Sequence, residues 1–438
     1  EVLEQGNAML TEGDIEEAIV LFEQAIAMDG TQYKAHSNKG HALRAIGRLD
    51  ESIECFQKAL DLSIDPSYRQ YFNLAVVLHE VQRLEEAIEL YGKAISKNKS
   101  HVSSHYNLGL VYLDLGDLEA SWKSLVHTLH LESGHVDARL SACNVMLAKG
   151  DRAMAVKCYE DVLKIDPSHV KGLVNLAGIS QPNQAGALLR RALELEPENV
   201  VAKKGLMALG QERYGIDESS DDREYAKLLF DSYAFHFDSS LERLQYRVPQ
   251  LVAEKLLTVC AAGAQHPCRV AVDLGAGTGL ACPGIRAALT SGPHSTVTGV
   301  DVSTKMLAKA RQQGCYTNLH TGEMTEFLSG LGEVSVDLLV AADVLVYVGS
   351  LGPLFHAAYR VLRRGEDGGG YFIFSVESSP SDEGKGFTLG PRGRYQHSMS
   401  YIRAVAEEVG LSVISADRII PRTDGGVDIQ GLLVVLAS

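Results

Sequence analysis

The stretch Asp273-Leu-Gly-Ala-Gly-Thr-Gly279 decides the fold of the second half of this chain. A short apolar run, Val270-Ala-Val272, precedes it, and a second apolar run ends at Gly299-Val-Asp301. A strand, a glycine turn and an acid after the next strand predict a nucleotide-like cofactor at the carboxyl edge of a parallel sheet. A dinucleotide turn, G-x-G-x-x-G, would need its third glycine at position 280, where the chain has Leu280. The spacing therefore argues against a dinucleotide.

Strand-like and helix-like segments alternate from Arg269 to the end of the chain. Such alternation predicts a doubly wound sheet with a ligand at the strand ends. The last two strands follow one another without a helix between them. We predict a helix from Leu241 to Cys260, strands near 269–274, 296–301, 335–342, 370–376, 411–416 and 431–437, a short strand at 316–320, and helices near 280–290, 303–312, 350–363 and 398–409.

The order D-x-G-x-G-x-G, in which Asp273 closes the strand, resembles motif I of the class I S-adenosylmethionine-dependent methyltransferases. The two consecutive strands at the end of the chain are also similar to that family, in which they form an antiparallel hairpin. The resemblance implies an α/β Rossmann-like class I methyltransferase domain with a seven-stranded, mostly parallel sheet. It also implies S-adenosyl-L-methionine as the cofactor.

The glycine turn and two acids are the main candidates for cofactor binding. Gly275, Gly277 and Gly279 allow positive φ and let the backbone approach the methionine part of the cofactor. We expect Asp273 to accept a hydrogen bond from the cofactor's ammonium, or to fix the turn by bonding backbone amides. We expect Asp301 to bind both ribose hydroxyls, and capping of the next helix is the alternative.

Further cofactor contacts follow from the resemblance. Met306 would lie against adenine, unless it is an ordinary core residue, and Glu323 would accept from the adenine amino group. The aromatic segment before the sheet would cap the cofactor, or would only pack its helix onto the sheet, and Arg247 would suit the cofactor carboxylate. The predicted cofactor-binding residues are Asp273, Gly275, Ala276, Gly277, Gly279, Asp301, Val302, Met306, Glu323, Met324, Asp343, Tyr233, Tyr246 and Arg247.

The predicted catalytic residues lie after a central strand and in a later loop. Asp343 and Tyr347 follow the apolar run 338–342, so we expect them where methyl transfer would occur. His397 lies in a run of the form Arg-Tyr-x-His-Ser-x-x-Tyr, which resembles a bacterial-type group of predicted methyltransferases with tetratricopeptide repeats. Asp343 and His397 are the main candidate bases, with His356 and Glu377 after them, and a base is needed only if the acceptor still carries its proton. A surface-exposed His397 without a catalytic role is the alternative.

Helical periodicity with a fixed repeat covers residues 1 to about 210. A small residue recurs at steps of 34, 35, 34, 34 and 34, and a bulky residue follows the first five. Small residues would let two antiparallel helices approach closely, and the bulky residue would fill the seam. The period resembles that of the tetratricopeptide repeat and implies an α solenoid of five repeats, a degenerate sixth and a closing helix. The small residues are Gly6, Gly40, Ala75, Gly109, Cys143 and Ala177.

Asparagines stand two positions before the small residue in four of the repeats. The resemblance places the first helix of each pair on a concave face. A carboxamide both donates and accepts, so a row of them could bind the backbone of an extended protein or peptide partner. Alternatively, they bond one helix to the next. The predicted partner-binding residues are Asn38, Asn73, Asn107 and Asn175.

Composition excludes some classes of function. The formal net charge of −15 disfavours a nucleic-acid partner, and no apolar run is as long as the roughly 18 residues that a membrane span needs. The seven cysteines include no C-x-x-C pair, so we predict reduced thiols, no metal site and a cytoplasmic location. The chain begins at Glu1 without a methionine, so a removed leader stays open.

The predicted domains are a repeat domain at 1–211, a linker at 212–222 and a methyltransferase domain at 223–438. We predict methyl transfer from S-adenosylmethionine to an acceptor that the repeats recruit. A methyltransferase for a small metabolite, with the repeats used for assembly, is one alternative. A non-catalytic interaction scaffold is the other. The sequence does not determine the acceptor or the atom that is methylated.

Overall fold

The computed structural model describes residues 1–210, 220–233, 237, 241, 244–260, 268–290, 292, 295–364, 369–379, 386–390, 393–424 and 426–438. The chain divides into two compact units, Glu1–Ile179 and Ser180–Ser438. In the part of the chain that the structure describes, no helix combines the length and the apolar character that a membrane crossing requires.

The first unit is a stack of antiparallel helix pairs, as the repeat pattern predicts. Each small residue faces the bulky residue of its partner helix: a Cβ added at Gly6 would lie 2.6 Å from the Phe22 ring, and one at Gly109 would lie 2.8 Å from Leu125. The helices are α1 Val2–Glu12, α2 Ile15–Met28, α3 Tyr33–Ala45, α4 Leu49–Asp61, α5 Tyr68–Glu80, α6 Leu84–Lys97, α7 Val102–Leu115, α8 Leu118–Leu131, α9 Val136–Ala148, α10 Arg152–Ile165 and α11 Val170–Ile179.

The turns inside the repeats need positive φ, which explains their glycines. Gly13, Gly47, Gly116 and Gly150 have φ between 78° and 94°. Gln82 stands at the same place in its repeat and adopts φ 62°, a conformation that costs a residue with a Cβ more than it costs glycine. The single break in the glycine series is therefore tolerated without changing the turn.

The second unit contains two further repeat-like helices, then helices around a sheet. Lys204, in the helix that corresponds to the predicted closing helix, is 1% exposed and forms an ion pair with Asp222 in the next helix. The second compact unit begins at Ser180, and residues 220–222 of the predicted linker are helical, while the predicted domain boundaries stay a prediction. Residues 211–219 lie outside the described residues. The helices are α12 Pro182–Leu195, α13 Val200–Ala208, α14 Ser220–Tyr233, α15 Val248–Val259, α16 Cys282–Ala288, α17 Thr304–Gln312, α18 Met324–Gly330, α19 Gly352–Val361 and α20 Met399–Val409.

The sheet has the order β3-β2-β1-β4-β5-β11-β8, with β6 and β7 paired beside β5. The first five strands in this order are parallel, whereas β11 is antiparallel to both β5 and β8. This arrangement confirms the predicted Rossmann-like sheet and its terminal hairpin, and β6 and β7 extend it. The strands are β1 Val270–Leu274, β2 Thr296–Asp301, β3 Asn318–Thr321, β4 Leu338–Ala341, β5 Tyr371–Ser378, β6 Phe387–Leu389, β7 Tyr395–His397, β8 Ser412–Ile419, β9 Thr423–Asp424, β10 Val427–Asp428 and β11 Gly431–Ala437.

The central strands are buried because helices cover both faces of the sheet. All four residues of β4 are buried, so its unbroken apolar run is the pattern of a parallel strand between two helical layers. Apolar side chains of α19 and α20 pack on one face, and those of α15 and α16 pack on the other. The helix predicted to start at Leu241 starts only at Val248, since Pro249 suits the first turn of a helix and disrupts its interior.

The prediction that the cysteines are reduced thiols is wrong for six of them. The structure contains the disulfides Cys143–Cys158, Cys260–Cys268 and Cys282–Cys315, and leaves Cys55 as a free thiol. The partners are 15, 8 and 33 residues apart, so the fold brings them together and no local motif reveals them. The cytoplasmic prediction loses the support that it took from reduced thiols.

Candidate functional site

The glycine turn lies between the ends of β1 and β2. The amides of Gly275 and Ala276 donate to the Val300 carbonyl at 2.8 and 2.9 Å, which holds the turn against β2. Gly275 and Gly277 adopt φ 69° and 54°, as predicted. A Cβ at Gly275 would lie 2.4 Å from Val344, so only glycine fits there.

Asp301 closes β2 and is 7% exposed. Its Oδ2 accepts from the Gly277 amide at 2.9 Å, and its Oδ1 accepts from the Ser303 amide at 2.8 Å. Because each carboxylate oxygen has room for a second hydrogen bond, both can still receive a hydroxyl. Burial raises the pKa of Asp301 to about 6, and these backbone bonds oppose the rise. The side chain thus supports the turn and the start of α17 and keeps the capacity to bind a diol.

Asp273 is 1% exposed and is only half satisfied. Its Oδ2 accepts from the Tyr316 hydroxyl at 2.6 Å. Its Oδ1 has no partner among the described residues, although a buried carboxylate oxygen without one is costly. Burial raises the pKa of Asp273 to about 7, and Asp301 nearby adds to the rise. A cationic ligand group at Oδ1 would satisfy this atom.

Two adjoining cavities surround the turn. The larger is lined by Asp301, Val302, Glu323 and Met324, among others. The walls of the smaller include the following residues. They are Phe230, Phe237, Leu241, Tyr246, Pro249, Asp273, Gly275, Ala276, Gly277, Asp301, Asp343, Tyr347, Arg394 and Arg422. The cavities share Gly275, Asp301 and Tyr347, so one elongated ligand can occupy both.

Asp343 follows β4 in a conformation that is rare for its residue type. Its φ is 57°, and its amide donates to the Ser375 hydroxyl at 2.8 Å. Its Oδ2 accepts from Arg422 Nη1 at 2.6 Å. Such a conformation persists only where surrounding contacts hold it, and it is common at functional sites. Asp343 therefore lies at the predicted place, but its carboxylate is already bound to a guanidinium.

Arg422 and Arg394, which sequence reasoning did not assign to the site, form a charged group with Glu377, a candidate base from the sequence. Arg422 is 1% exposed and also donates to Glu377. Arg394 Nη1 lies 3.7 Å from Glu377 Oε1, and its guanidinium lies 5.8 Å from the centre of the Tyr347 ring. Both arginines are far from the glycine turn in sequence. Arg394 opens the Arg-Tyr-x-His-Ser-x-x-Tyr run, which assigned it no role, and no local spacing points to Arg422.

His397 is fully buried, which contradicts the surface-exposed alternative. Its Nε2 lies 3.1 Å from the Gly349 carbonyl, and its Nδ1 has no partner among the described residues. Burial lowers the pKa of His397 to about 4, so the ring is neutral near pH 7. Among the described residues that line the two cavities, His397 is absent. Its observed contact is to the loop that follows Tyr347.

The remaining predicted residues divide between the cavities and the core. Met306 is fully buried and outside the described lining of both cavities, as the core alternative requires. Gly279 packs against α17 and lines neither cavity. Arg247 is exposed and is also outside the described lining of both cavities. Tyr246 lines the smaller cavity, and burial, followed by the Asp343 charge, raises the pKa of its hydroxyl. The side chain of Tyr233 lies outside the described residues.

The predicted partner-binding asparagines bond within the solenoid. Asn38 donates to Asn7 at 2.6 Å, and Asn175 donates to Asn144 at 3.1 Å. Asn73 lies 2.9 Å from His41 Nε2. Each bond joins one repeat to the preceding one, which favours the helix-to-helix alternative. The role of Asn107, which neighbours Tyr91, stays a prediction.

Family comparisons agree with both folds. A model described as a methyltransferase domain matches residues 272–374. Models of the tetratricopeptide repeat match residues 33–64, 75–116 and 147–169. The chain is a tetratricopeptide-repeat protein fused to a methyltransferase domain.

Three known proteins resemble this chain over part of its length. Over 59 residues it is 36% identical to the uncharacterized protein MJ0572 of Methanocaldococcus jannaschii, covering 14% of this chain and 69% of that one. MamA is 25% identical over 38% of this chain and 96% of its own, with a TM-score of 0.36. PilF of Pseudomonas aeruginosa is 19% identical over 46% of this chain and 94% of its own, with a TM-score of 0.40.

Proposed function

We propose that the fusion protein transfers a methyl group from S-adenosyl-L-methionine and that its repeats bind a protein or peptide. The unpartnered Oδ1 of Asp273 beside the glycine turn is the observation that carries this proposal. It is a buried acceptor at a cavity wall, and the amino group of the methionine part would satisfy it. The matched methyltransferase domain supports the same conclusion.

The larger cavity suits the adenosine part and the smaller one the methionine part. Asp301 lines both, and each of its oxygens can accept one ribose hydroxyl in addition to its backbone amide. Glu323 and Met324 line the larger cavity, where adenine would lie. The Glu323 carboxylate already accepts from the Glu326 amide at 2.8 Å, so its other acceptor positions would be used.

S-adenosyl-L-methionine supplies an activated methyl group on a sulfonium. The protein mainly has to hold the acceptor in line with that group, and such positioning provides about 7–11 kcal/mol of barrier lowering. Tyr246, Tyr347 and the end of β4 at Asp343 surround the volume in which the acceptor would lie. The apolar walls Phe230 and Phe237 would exclude water from it.

Calorimetric titration of the full chain with S-adenosylmethionine, S-adenosylhomocysteine and NAD tests the donor. We expect the first two to bind and NAD to bind at least about tenfold more weakly, because the turn lacks the dinucleotide spacing. Asp273→Asn should weaken the binding of S-adenosylmethionine and S-adenosylhomocysteine, and Asp428→Asn, an exposed change in β10, is its matched control for a lost carboxylate. Binding of NAD alone would refute the proposal.

The two possible roles of the repeats differ in whether the methyl acceptor is a protein or a small molecule. A methyl-labelled donor is incubated with the full chain and a whole-cell extract, and proteins are then separated from small molecules. Label on protein supports recruitment by the repeats. Label confined to small molecules favours the metabolite methyltransferase, with the repeats used for assembly.

A further inference from the structure

Two arginines line the smaller cavity. Arg422 is held by Asp343 and Glu377, yet its Nε has no acceptor among the described residues. Arg394 pairs with Glu377 at 3.7 Å, which is too far for a hydrogen bond, and its guanidinium also hydrogen-bonds with Tyr347. A buried guanidinium donor without a partner, such as the Arg422 Nε, is costly, so an anion beside the two arginines would be stabilised.

Other walls of this cavity are apolar. Phe230, Phe237, Leu241 and Pro249 line it, and the Tyr246 ring lies among them. Phe230 also packs edge-to-face on Tyr347, with ring centres 5.0 Å apart. A ligand that fits both surfaces carries an apolar group next to a negative charge.

The same cavity offers no free base for the acceptor. No histidine, lysine or cysteine occurs among the described residues that line it. Asp343 is already paired with Arg422 through its Oδ2, and taking a proton would remove the charge that holds this pair. The proposed function assigns Asp273 and Asp301 to the methyl donor. The site therefore suits an acceptor that attacks without losing a proton.

We infer that the acceptor is a carboxylate next to an apolar group, that Arg394 and Arg422 bind it, and that the product is a methyl ester. This inference rests on the proposed function. A carboxylate oxygen forms the new bond to the methyl carbon, the carbon–sulfur bond breaks, and its electron pair stays on sulfur. Carboxylic acids are ionised near pH 7, so no proton is removed in the step.

Calorimetry on the full chain saturated with S-adenosylhomocysteine tests the anion site. The probes are phenylacetate and its neutral isostere phenylacetamide. We expect the carboxylate to bind at least about tenfold more tightly, because charge-assisted hydrogen bonds exceed neutral ones. Arg394→Gln should abolish this preference and Arg394→Lys should restore part of it, whereas Arg403→Gln on the exposed face of α20 should leave it unchanged. Equal binding of the two probes, or binding of neither, overturns the inference.

Binding of S-adenosylhomocysteine to the same variants separates the two proposals. We expect Arg394→Gln to bind it within about twofold of the unmodified chain. A loss of tenfold or more would mean that Arg394 holds the carboxylate of the donor, and the acceptor inference would fail. If the unmodified chain binds neither S-adenosylmethionine nor S-adenosylhomocysteine, the proposed function itself fails.

The chemistry of the product gives an independent readout. The full chain is incubated with a methyl-labelled donor and a cell extract, and the protein and small-molecule fractions are each treated with mild alkali. We expect the label to be released as methanol, since methyl esters hydrolyse under these conditions, and the labelled fraction shows whether the carboxylate belongs to a protein or a metabolite. Label that resists alkali, or no label at all despite donor binding, contradicts the ester.

Discussion

We expect the buried Asp273 carboxylate to stabilise the bound donor and to lower the stability of the ligand-free protein. Burial raises its pKa from 3.8 to about 7, and at 1.36 kcal/mol per pKa unit this corresponds to about 4 kcal/mol. Because the folded-state pKa is the higher one, stability is greatest below pH 4 and is lost as the pH rises to about 7. Asp273→Asn removes the charge and can still accept from Tyr316.

The stability difference between Asp273→Asn and the unmodified chain should therefore depend on pH. We expect the variant to gain about 2–3 kcal/mol relative to the unmodified chain between pH 5 and pH 8. Hydrogen exchange at the amides of β1 and β4 measures this within the second unit. The control Asp428→Asn should show no such gain. A difference that stays constant from pH 5 to pH 8 would refute a buried Asp273 that titrates near 7.

The same titration predicts the pH dependence of donor binding. The ionised form of Asp273 is the one that accepts from an ammonium, so affinity for S-adenosylhomocysteine should rise as the pH passes through about 7. Asp273→Asn should bind more weakly at pH 8 by about 1.5–3 kcal/mol, the scale of a lost charged hydrogen bond. Calorimetry at several pH values measures both, and equal affinity of the variant at pH 8 would exclude the ammonium contact.

The remaining predictions concern three other positions. Asp301→Ala should weaken S-adenosylmethionine binding by about 1–3 kcal/mol in calorimetry, and unchanged affinity would show that it does not bind the ribose. Gly275→Ala should destabilise the second unit by more than about 2 kcal/mol, measured by hydrogen exchange, because the new Cβ would clash with Val344 and the residue has a positive φ. Adding Val344→Ala relieves part of the clash but not the positive φ, so it should recover only part of the lost stability. His397→Gln should lower turnover more than donor affinity, because His397 contacts the loop at Gly349. Turnover of the unmodified chain should show no titration near pH 6.5, because the pKa of His397 lies at about 4. A break in turnover near pH 6.5 that His397→Gln removes would instead make it a base.

The glycine turn and Asp301 could be predicted because they belong to one strand–turn–strand unit. Within such a unit, spacing along the chain determines which groups meet at the sheet edge. The solenoid could be predicted for a similar reason, since each repeat contacts its neighbours and the pattern recurs. The role of the asparagines was less determined, because an Asn such as Asn38 can bond a peptide or the next helix equally well. Its contact with Asn7 is a property of the stacked repeats.

The charged end of the smaller cavity could not be predicted in the same way. Arg394, Arg422 and Glu377 meet only after β5, β7 and the segment before β9 have assembled. Arg394 opens the Arg-Tyr-x-His-Ser-x-x-Tyr run, but the run assigned it no role, and a lone arginine such as Arg422 in a loop is usually solvated. The apolar strand before Asp343 predicted its position at the sheet edge. Its bond to Arg422, which the sequence does not reveal, makes it part of the charged group instead of a free base. The sequence therefore predicts the donor side of this site from local order and leaves the acceptor side to tertiary contacts.

The position of Asp343 shows why donor and acceptor sides depend on each other. Its positive φ is held by Ser375 from β5 and by Arg422, and Arg422 in turn bonds Glu377. Removing one partner of such a buried group leaves an uncompensated charge, which costs about 3–5 kcal/mol. The strained end of β4 and the arginine cluster thus stabilise one another, although they are far apart in the chain. An acceptor carboxylate at Arg422 Nε would complete this group, and that is the physical basis for expecting the methyl acceptor there.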